Sequence, residues 1–444
     1  MGKYRNDPAA IRALVRDNEV HRDLYISQEL FEVEMEQLWR TAWIYVGHDS
    51  QVPKPADFYT TTVARQPVIM VRGQDDKVRV LFNRCSHKGA EVACSEYGHA
   101  EGGTLRCPYH GWTFKLDGAV RTIPVKSGYD HTGFADTQAA KGLVEVRNVV
   151  NYKGFIFARL SDKGMDFEDY FGGSLSSIDN MVDRAPEGRL EVAGGTLKYL
   201  HDCNWKMFVE NLNDTMHPMV AHESVAGTAK TLWSQQPPDT PKPLAVELVL
   251  PFASGYDFFE KQGVRIYENG HSYTGVSYSI HSDYSPSGEY EMALIKARGE
   301  EEAKRILKEA RHNTVYFPSL TIKGAIQAIR VARPLAYNKT LLESFTFRLV
   351  GAPDALLQRS VLYTRLINAP MSPVGHDDLV CYKAIQDGLE TDGNDWISLH
   401  RGFDPHELQH IDGVYNGTNE ISMRGQYRAW AKLMTMNMAA GEGR

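Results

Sequence analysis

The sequence lacks long apolar runs: nowhere among its 444 residues does a stretch approach the ~20 apolar residues that cross a bilayer. Residues 1–20 also lack the apolar core of a secretory signal peptide. A myristoylation motif needs Ser or Thr at position 6, where this chain has Asn6. Together these absences predict a cytoplasmic protein with no membrane anchor.

Clustered positive charge is lacking as well. The 49 Lys and Arg residues are outnumbered by 56 Asp and Glu residues, which gives a net charge of −7, and no basic run suits a nucleic-acid backbone. Nucleic acid is therefore not an expected partner. Cysteine is scarce, with five residues, and disulfides are not expected in a cytoplasmic chain of this length. Each cysteine is instead a candidate metal ligand or nucleophile.

The hydrophobic pattern changes twice along the chain. Residues 1–43 have apolar positions at helical spacing, which predicts N-terminal helices. Residues 44–160 consist of short alternating runs cut by turn residues, which predicts a small all-β domain. Residues 161–444 mix strand-like and helical patterns and are expected to form a second, larger domain. The predicted fold class is α+β.

Two short motifs in the β region carry metal-binding residue types. Cys85-Ser86-His87 is followed, after a gap of 19 residues, by Cys107-Pro108-Tyr109-His110. This is the ligand set of a [2Fe–2S] cluster in which two imidazoles replace two thiolates on one iron. A zinc site uses the same residue types, but one residue between Cys85 and His87 is too few for both to chelate a single ion comfortably. The sequence therefore favours the iron–sulfur cluster.

A second motif, Asp-x-x-His-x-x-x-x-His, lies in the larger region at Asp214, His217 and His222. On a continuous helix the two histidines would point about 140° apart, but Pro218 disfavours helical geometry at His217 and so predicts a break there that could bring them together. Two histidines and a carboxylate form the facial triad of non-haem iron(II), which leaves positions open for dioxygen. The carboxylate is either Asp214 or one of the distant pair at 377 and 378, whose alternative role is to cap a helix.

The two motifs, in this order, resemble those of the large subunits of Rieske non-haem iron oxygenases, the aromatic-ring-hydroxylating family. The resemblance implies an all-β Rieske domain and a catalytic domain with a large antiparallel sheet covered by helices. It implies that Cys85, His87, Cys107 and His110 bind the [2Fe–2S] cluster. It also implies that mononuclear iron(II) is bound by His217, His222 and Asp378, which is chosen over Asp377.

By the same resemblance Asp214 becomes an electron-transfer bridge. It would hydrogen-bond His217 in its own chain and His110 of the partner subunit, which implies a homotrimer with or without a small β subunit (α3 or α3β3). A carboxylate in that position orients the imidazole and shortens the electron path. Four residues of the same stretch are candidates for the substrate pocket: Phe208, Val209, Asn211 and Leu212.

The implied reaction uses dioxygen and electrons from NAD(P)H, delivered by a ferredoxin or reductase, to cis-dihydroxylate an aromatic hydrocarbon or aromatic acid. The alternative within the family is a monooxygenase that hydroxylates the ring or removes an O- or N-alkyl group. Two other classes are a simple electron carrier, which would not need the second ligand set, and a zinc hydrolase, which leaves the cysteine motifs unexplained. Iron and acid-labile sulfide analysis separates these classes.

Overall fold

The computed structural model describes residues 2–281 and 288–438. The chain divides into two compact units. The smaller unit contains residues 39–164, and the larger contains residues 2–38 together with the described residues from 165 onward. The N-terminal helices thus belong to the same unit as the C-terminal half of the chain.

The smaller unit consists mainly of three antiparallel sheets. One sheet has four strands, in the spatial order Val78–Phe82, Gln66–Arg72, Asp57–Val63 and Tyr97–His99. The second has Asn148–Tyr152, Phe155–Arg159 and Ile44–His48. The third has Thr104–Arg106, Thr113–Lys115 and Val120–Thr122. Two short helices occur here, Leu38–Thr41 at the boundary and Gln138–Lys141. The core of this unit includes Cys85, Cys107 and Trp112.

The larger unit contains an eight-stranded antiparallel sheet. Its strands, in spatial order, are Leu190–His201, Lys339–Leu349, Ala328–Ala336, Leu320–Lys323, Thr314–Tyr316, Ser272–Thr274, Val264–Ile266 and Gly413–Tyr415. A separate two-stranded sheet pairs Glu19–His21 with Trp396–Ser398. The central strand Ala328–Ala336 is buried at seven consecutive positions, so both of its faces are covered. The predicted α+β class, with its large antiparallel sheet, is confirmed.

Helices surround this sheet. Their bounds are Pro8–Arg12, Asp23–Ile26, Gln28–Glu36, Phe167–Phe171, Ser176–Asp183, Trp205–Asn211, Pro218–Ala221, Glu223–Ser234, Leu244–Val249, Tyr256–Gln262, Gly288–Arg298, Glu300–Lys308, Asp354–Tyr363, Pro373–Leu389 and Ile421–Thr435. Within the described ranges, none of the helices has the length and apolarity needed to cross a membrane.

A buried carboxylate joins three of these helices. Oε1 of Glu34 accepts hydrogen bonds from Nζ of Lys206 at 2.6 Å and from Nε1 of Trp430 at 2.7 Å, while Oε2 accepts from Nε1 of Trp205 at 2.9 Å. Glu34 and Lys206 are at most 3% exposed, so the pair is stable only because its polar atoms are satisfied. This network holds the helix Trp205–Asn211 against the helices Gln28–Glu36 and Ile421–Thr435.

Candidate metal centres and active site

Two loops of the smaller unit share one backbone geometry. In the first loop, the amide of Cys85 donates to the carbonyl of Ala90 at 2.8 Å, and the amide of Gly89 donates to the carbonyl of Cys85 at 3.0 Å. The second loop, residues 107–112, repeats both bonds at the same positions with lengths of 2.8 and 3.1 Å. The two sequence motifs therefore fold into two copies of one loop.

A glycine with left-handed backbone angles closes each loop. The φ angle is +82° at Gly89 and +70° at Gly111. Residues with a Cβ adopt this conformation only at a steric cost, which glycine avoids. Gly89, two residues after His87, and Gly111, directly after His110, are thus needed for the turns that position the histidines.

The cysteine and histidine side chains of the two loops differ in burial. Cys85 and Cys107 are each 2% exposed, and their side chains interact with each other. His110 is exposed and His87 is half-buried, with ring centroids 4.7 Å apart. The His87 ring also stacks on the buried Trp112 ring at 4.9 Å between centroids. Buried thiolates beneath outward-facing imidazoles fit a two-iron cluster whose metals take different ligands.

The second candidate centre lies in the larger unit, where His217, His222 and Asp378 each bring one donor atom within 4.8 Å of the others. Oδ1 of Asp378 lies 3.6 Å from Nε2 of His217 and 3.4 Å from Nε2 of His222. Neighbouring donors with metal bonds of roughly 2.1 Å are about 3 Å apart on a six-coordinate ion, so small adjustments suffice to bind one. This donor set fits non-haem iron(II).

Pro218 places the two histidines in different backbone segments. A short helix Pro218–Ala221 begins at the proline, whose missing amide has no helical partner at this position. His222 follows with φ −102° and ψ 15°, and the helix Glu223–Ser234 begins after it. The predicted break is present. The expectation that His217 would be non-helical is wrong, because its φ and ψ are −63° and −33° and the departure falls at His222 instead.

The adjacent carboxylates Asp377 and Asp378 take different positions around His222. Asp378 faces Nε2, whereas Oδ2 of Asp377 lies 3.3 Å from Nδ1 on the other side of the ring. Both belong to the helix Pro373–Leu389, which is capped by the side chain of Ser372. The alternative role of the pair as a helix cap is therefore wrong. A carboxylate at Nδ1 fixes the imidazole tautomer and leaves Nε2 available to a metal.

Asp214 lies on the side of His217 that faces away from Asp378. Its Oδ2 is 4.0 Å from Nδ1 of His217, which is too long for the side-chain hydrogen bond expected between them. Its Oδ1 accepts the amide of Met216 at 2.7 Å and lies 3.9 Å from Nη2 of Arg401. The geometry therefore favours Asp378 over Asp214 as the third member of the donor set.

A narrow cavity, here called the inner cavity, opens beside these donors. Asn211 and Leu212, two of the four expected pocket residues, line it. Phe208 and Val209 are buried elsewhere and lie outside its described lining. Phe208 instead packs behind the lining, with its ring 5.0 Å from the guanidinium of Arg330.

Three basic residues of the inner cavity, His312, Lys323 and Arg330, were not singled out from the sequence. Lys323 and Arg330 lie on neighbouring sheet strands that are buried along most of their length. A charged residue inside such an apolar strand is the signal that could have identified them.

Glu210 is a further polar residue near the donors, and it lines a second cavity together with His217 and Asp378. Its Oε1 accepts a hydrogen bond from the hydroxyl of Tyr25 at 2.8 Å and another from the hydroxyl of Tyr427. Burial raises the pKa of Glu210 to about 7. This carboxyl can therefore exchange a proton near neutral pH.

Comparisons with known proteins agree with this arrangement. Residues 42–138 match the Rieske [2Fe–2S] domain, and residues 190–436 match the catalytic domain of the ring hydroxylating alpha subunit. The chain is 29% identical to the 2-halobenzoate 1,2-dioxygenase large subunit of Burkholderia cepacia, over 92% of this chain and 84% of that one. It is 30% identical to the anthranilate 1,2-dioxygenase large subunit of Acinetobacter baylyi, over 86% and 80%.

Among solved structures, a naphthalene 1,2-dioxygenase mutant bound to phenanthrene aligns with 97% of this chain and 95% of its own length. The TM-score is 0.76 and the sequence identity is 23%. At that identity the likeness shows a shared fold.

Proposed function

We propose a function for this chain from one premise: it belongs to the ring-hydroxylating alpha-subunit family, with a Rieske domain for a [2Fe–2S] cluster and a catalytic domain for mononuclear iron. It is therefore an oxidoreductase that incorporates oxygen. We infer that it is the terminal oxygenase component that cis-dihydroxylates an aromatic hydrocarbon or aromatic acid with dioxygen and electrons from NAD(P)H.

The convergence of His217, His222 and Asp378 beside the inner cavity is the observation that carries this proposal. In the proposed function these three side chains bind iron(II), which supplies open coordination positions for dioxygen. His222 donates from Nδ1 to Asp377, and this bond keeps the proton off Nε2. In this proposal the inner cavity holds the aromatic ring of the substrate beside the metal and shields the ring from water.

The Rieske domain stores the electron in this proposal, and four residues bind its cluster: Cys85, His87, Cys107 and His110. Asp214 then links His217 to His110 of the partner subunit in a homotrimer, α3 or α3β3. The position of Asp214 beside Nδ1 of His217, with its side chain 26% exposed, supports this role, because one face of the carboxylate is left for another group. A partner imidazole at that face would give a short electron path.

The names of the relatives support the choice of an aromatic substrate. The two large subunits compared above are named for dioxygenation of 2-halobenzoate and anthranilate. The proposed partners are a ferredoxin or reductase as electron donor and a small β subunit. All five cysteines are free, which fits a cytosolic location.

The test is a single turnover of the reduced protein with isotopically labelled dioxygen and a panel of arenes and aromatic acids. The protein should first be shown to contain about three irons and two sulfides per chain. A diol with two labelled oxygens, counted by mass spectrometry, would support the proposal. A product with one label would favour the monooxygenase alternative, and no labelled product from fully loaded protein would contradict both.

A further inference from the structure

The inner cavity has an apolar part and a basic part. Four buried apolar side chains form walls beside the proposed iron ligands: Phe252, Phe259, Ile367 and Val374. Lys323 and Arg330 line the same cavity. A wall of this kind suits an aromatic ring, while two cations suit an anionic substituent on it.

The sheet register places the two cations side by side. Lys323 is paired with Ala328, and Thr321 is paired with Arg330, on adjacent antiparallel strands. Directly paired residues share a face of the sheet, and so do residues two apart on one strand. Lys323 and Arg330 therefore occupy diagonal positions on one face, close enough to act on a single bound group.

Both cations are buried, yet their polar contacts are few. Lys323 is 4% exposed, and its Nζ donates to the hydroxyl of Tyr363 at 3.3 Å. Arg330 is 9% exposed; it donates to the hydroxyl of Tyr199 and lies against the ring of Phe208. Nε of Arg330 has no hydrogen-bond partner among the residues described. Two buried cations without full hydrogen bonding are costly unless an anion joins them.

The carboxylates of the cavity form no ion pair with Lys323 or Arg330. Throughout residues 2–281 and 288–438, no carboxylate oxygen lies within 4.0 Å of a side-chain nitrogen of Lys323 or Arg330. Asp214 and Asp378 also line the cavity, but Asp378 is assigned to the iron and Asp214 lies beyond His217. Burial lowers the pKa of Lys323, as does the nearby Arg330, while the charge of Asp378 acts in the opposite direction.

We propose that Lys323 and Arg330 select an aromatic carboxylate as the substrate, by holding its carboxylate group at the basic end of the inner cavity while its ring lies between the apolar walls and the iron. This inference rests on the proposed function, because it takes the inner cavity as the substrate site. Among the substrates considered above it favours aromatic acids over aromatic hydrocarbons. Arg330 can donate two parallel bonds to a carboxylate, and Lys323 adds a point charge.

The test measures binding without turnover. Benzoate, 3-methylbenzoate and 2-aminobenzoate, each beside its own amide, are titrated by calorimetry into oxidised, iron-loaded protein with no reductant. Each amide has nearly the same shape as its acid but no charge. At least one acid is expected to bind about tenfold or more tightly than its amide, as for a hydrogen bond to a charged group.

Three variants test whether Lys323 and Arg330 cause the preference for the acid over its amide. Lys323→Met and Arg330→Gln should each weaken acid binding at least about tenfold and change amide binding little, whereas Lys323→Arg should retain the preference. Arg333→Gln is the matched control, because Arg333 is a buried cation of the same strand that pairs with Glu343 instead. Circular dichroism and iron content check that each variant is folded and loaded.

Two results would overturn the inference: no acid binds better than its amide, or the Lys323 and Arg330 variants weaken both ligands equally. Failure of the proposed function looks different. Wild-type protein would then bind the acid selectively but incorporate no labelled oxygen into it under reduction. Conversely, labelled diol from a neutral arene together with no acid preference would uphold the function and reject the role of the two cations.

Discussion

The two loops of the smaller unit bring together the four proposed cluster ligands and repeat one backbone pattern, whereas the proposed iron ligands come from two stretches of the chain that are distant in sequence. In the loops, Cys85 and Cys107 make the same two backbone hydrogen bonds, and a glycine completes each turn. In the iron site, His222 and Asp378 meet only because the helix Pro373–Leu389 packs beside the short helix Pro218–Ala221. Local backbone geometry builds the first site, and tertiary packing builds the second.

This difference extends to the polar surroundings. The two histidines proposed to bind the cluster, His87 and His110, are half-buried and exposed, so water can reach both rings. His222 is 1% exposed, and Asp377 is the hydrogen-bond partner of its Nδ1. We therefore expect substitutions around the iron to act through ionisation and orientation, and substitutions in the cluster loops to act through backbone strain.

The largest effect is expected for Asp378→Asn. A neutral amide is a weaker ligand than a carboxylate, so the mononuclear iron should be lost and oxygenation should fall at least about a thousandfold. The visible absorbance of the cluster should not change, because its proposed ligands lie on separate loops. Metal analysis should show about two irons per chain where wild type has about three.

The reciprocal variant Cys107→Ser should lose the cluster and keep the mononuclear iron. The exposed Asp257→Asn, which removes a surface carboxylate that pairs with Lys261, is the control and should match wild type. Full iron content and activity in Asp378→Asn would refute the assigned ligand set.

The difference between the two sites also explains what could be predicted from the sequence. The proposed cluster ligands, Cys85, His87, Cys107 and His110, could be predicted because their spacing itself determines the loops. The choice between Asp377 and Asp378 could not be made from spacing, since neighbours on a helix point about 100° apart and only packing decides which faces the histidines. Resemblance to a family supplied that choice.

Pocket residues were harder still to predict. Asn211 and Leu212 line the inner cavity, but Phe208 and Val209 on the same segment do not. The basic end of the cavity comes from a sheet strand far along the chain, Ala328–Ala336, which is buried on both faces. Alternation then no longer distinguishes the face that lines the cavity from the face that packs against helices.

Glu210 offers a test of ionisation near the iron. Its pKa is raised to about 7 from a reference of 4.5, so between these pH values the folded protein binds more protons than the unfolded chain. Stability therefore falls as pH rises through this window, by about 3 kcal/mol for a shift of this size. Glu210→Gln has no carboxyl that can ionise at this position. Its free energy of unfolding relative to wild type should therefore rise by that amount as the pH increases through this window.

Urea unfolding at pH 4.5, 6 and 7.5, followed by tryptophan fluorescence, measures this difference. Any constant offset reports the altered hydrogen bonds to Tyr25 and Tyr427, and only the change with pH reports the ionisation. A difference that stays constant with pH would show that Glu210 is not a perturbed acid.

Asp377→Asn should have an intermediate effect and separates orientation from ligation. The amide can still accept a hydrogen bond from Nδ1 of His222 but carries no charge, so iron affinity and activity should fall about 10- to 100-fold. Competition with an iron chelator measures the iron affinity, and product formation at saturating iron measures the loss of activity that remains. A loss as severe as that of Asp378→Asn would mean that the roles of the two carboxylates are misassigned.

The smallest effect is expected in the cluster loops, where Gly111→Ala forces a Cβ into left-handed backbone. No atom lies closer than 3.7 Å to the added Cβ, so the cost is conformational, roughly 1–2 kcal/mol. Gly89→Ala should cost a similar amount, because Gly89 closes the first loop in the same way. Gly128→Ala is the control, since its Cβ meets nothing within 4 Å and its φ lies outside the left-handed range. Thermal loss of the cluster's visible absorbance measures all three; if Gly128→Ala lowered the midpoint as much as Gly111→Ala, local backbone geometry would not be what holds the cluster.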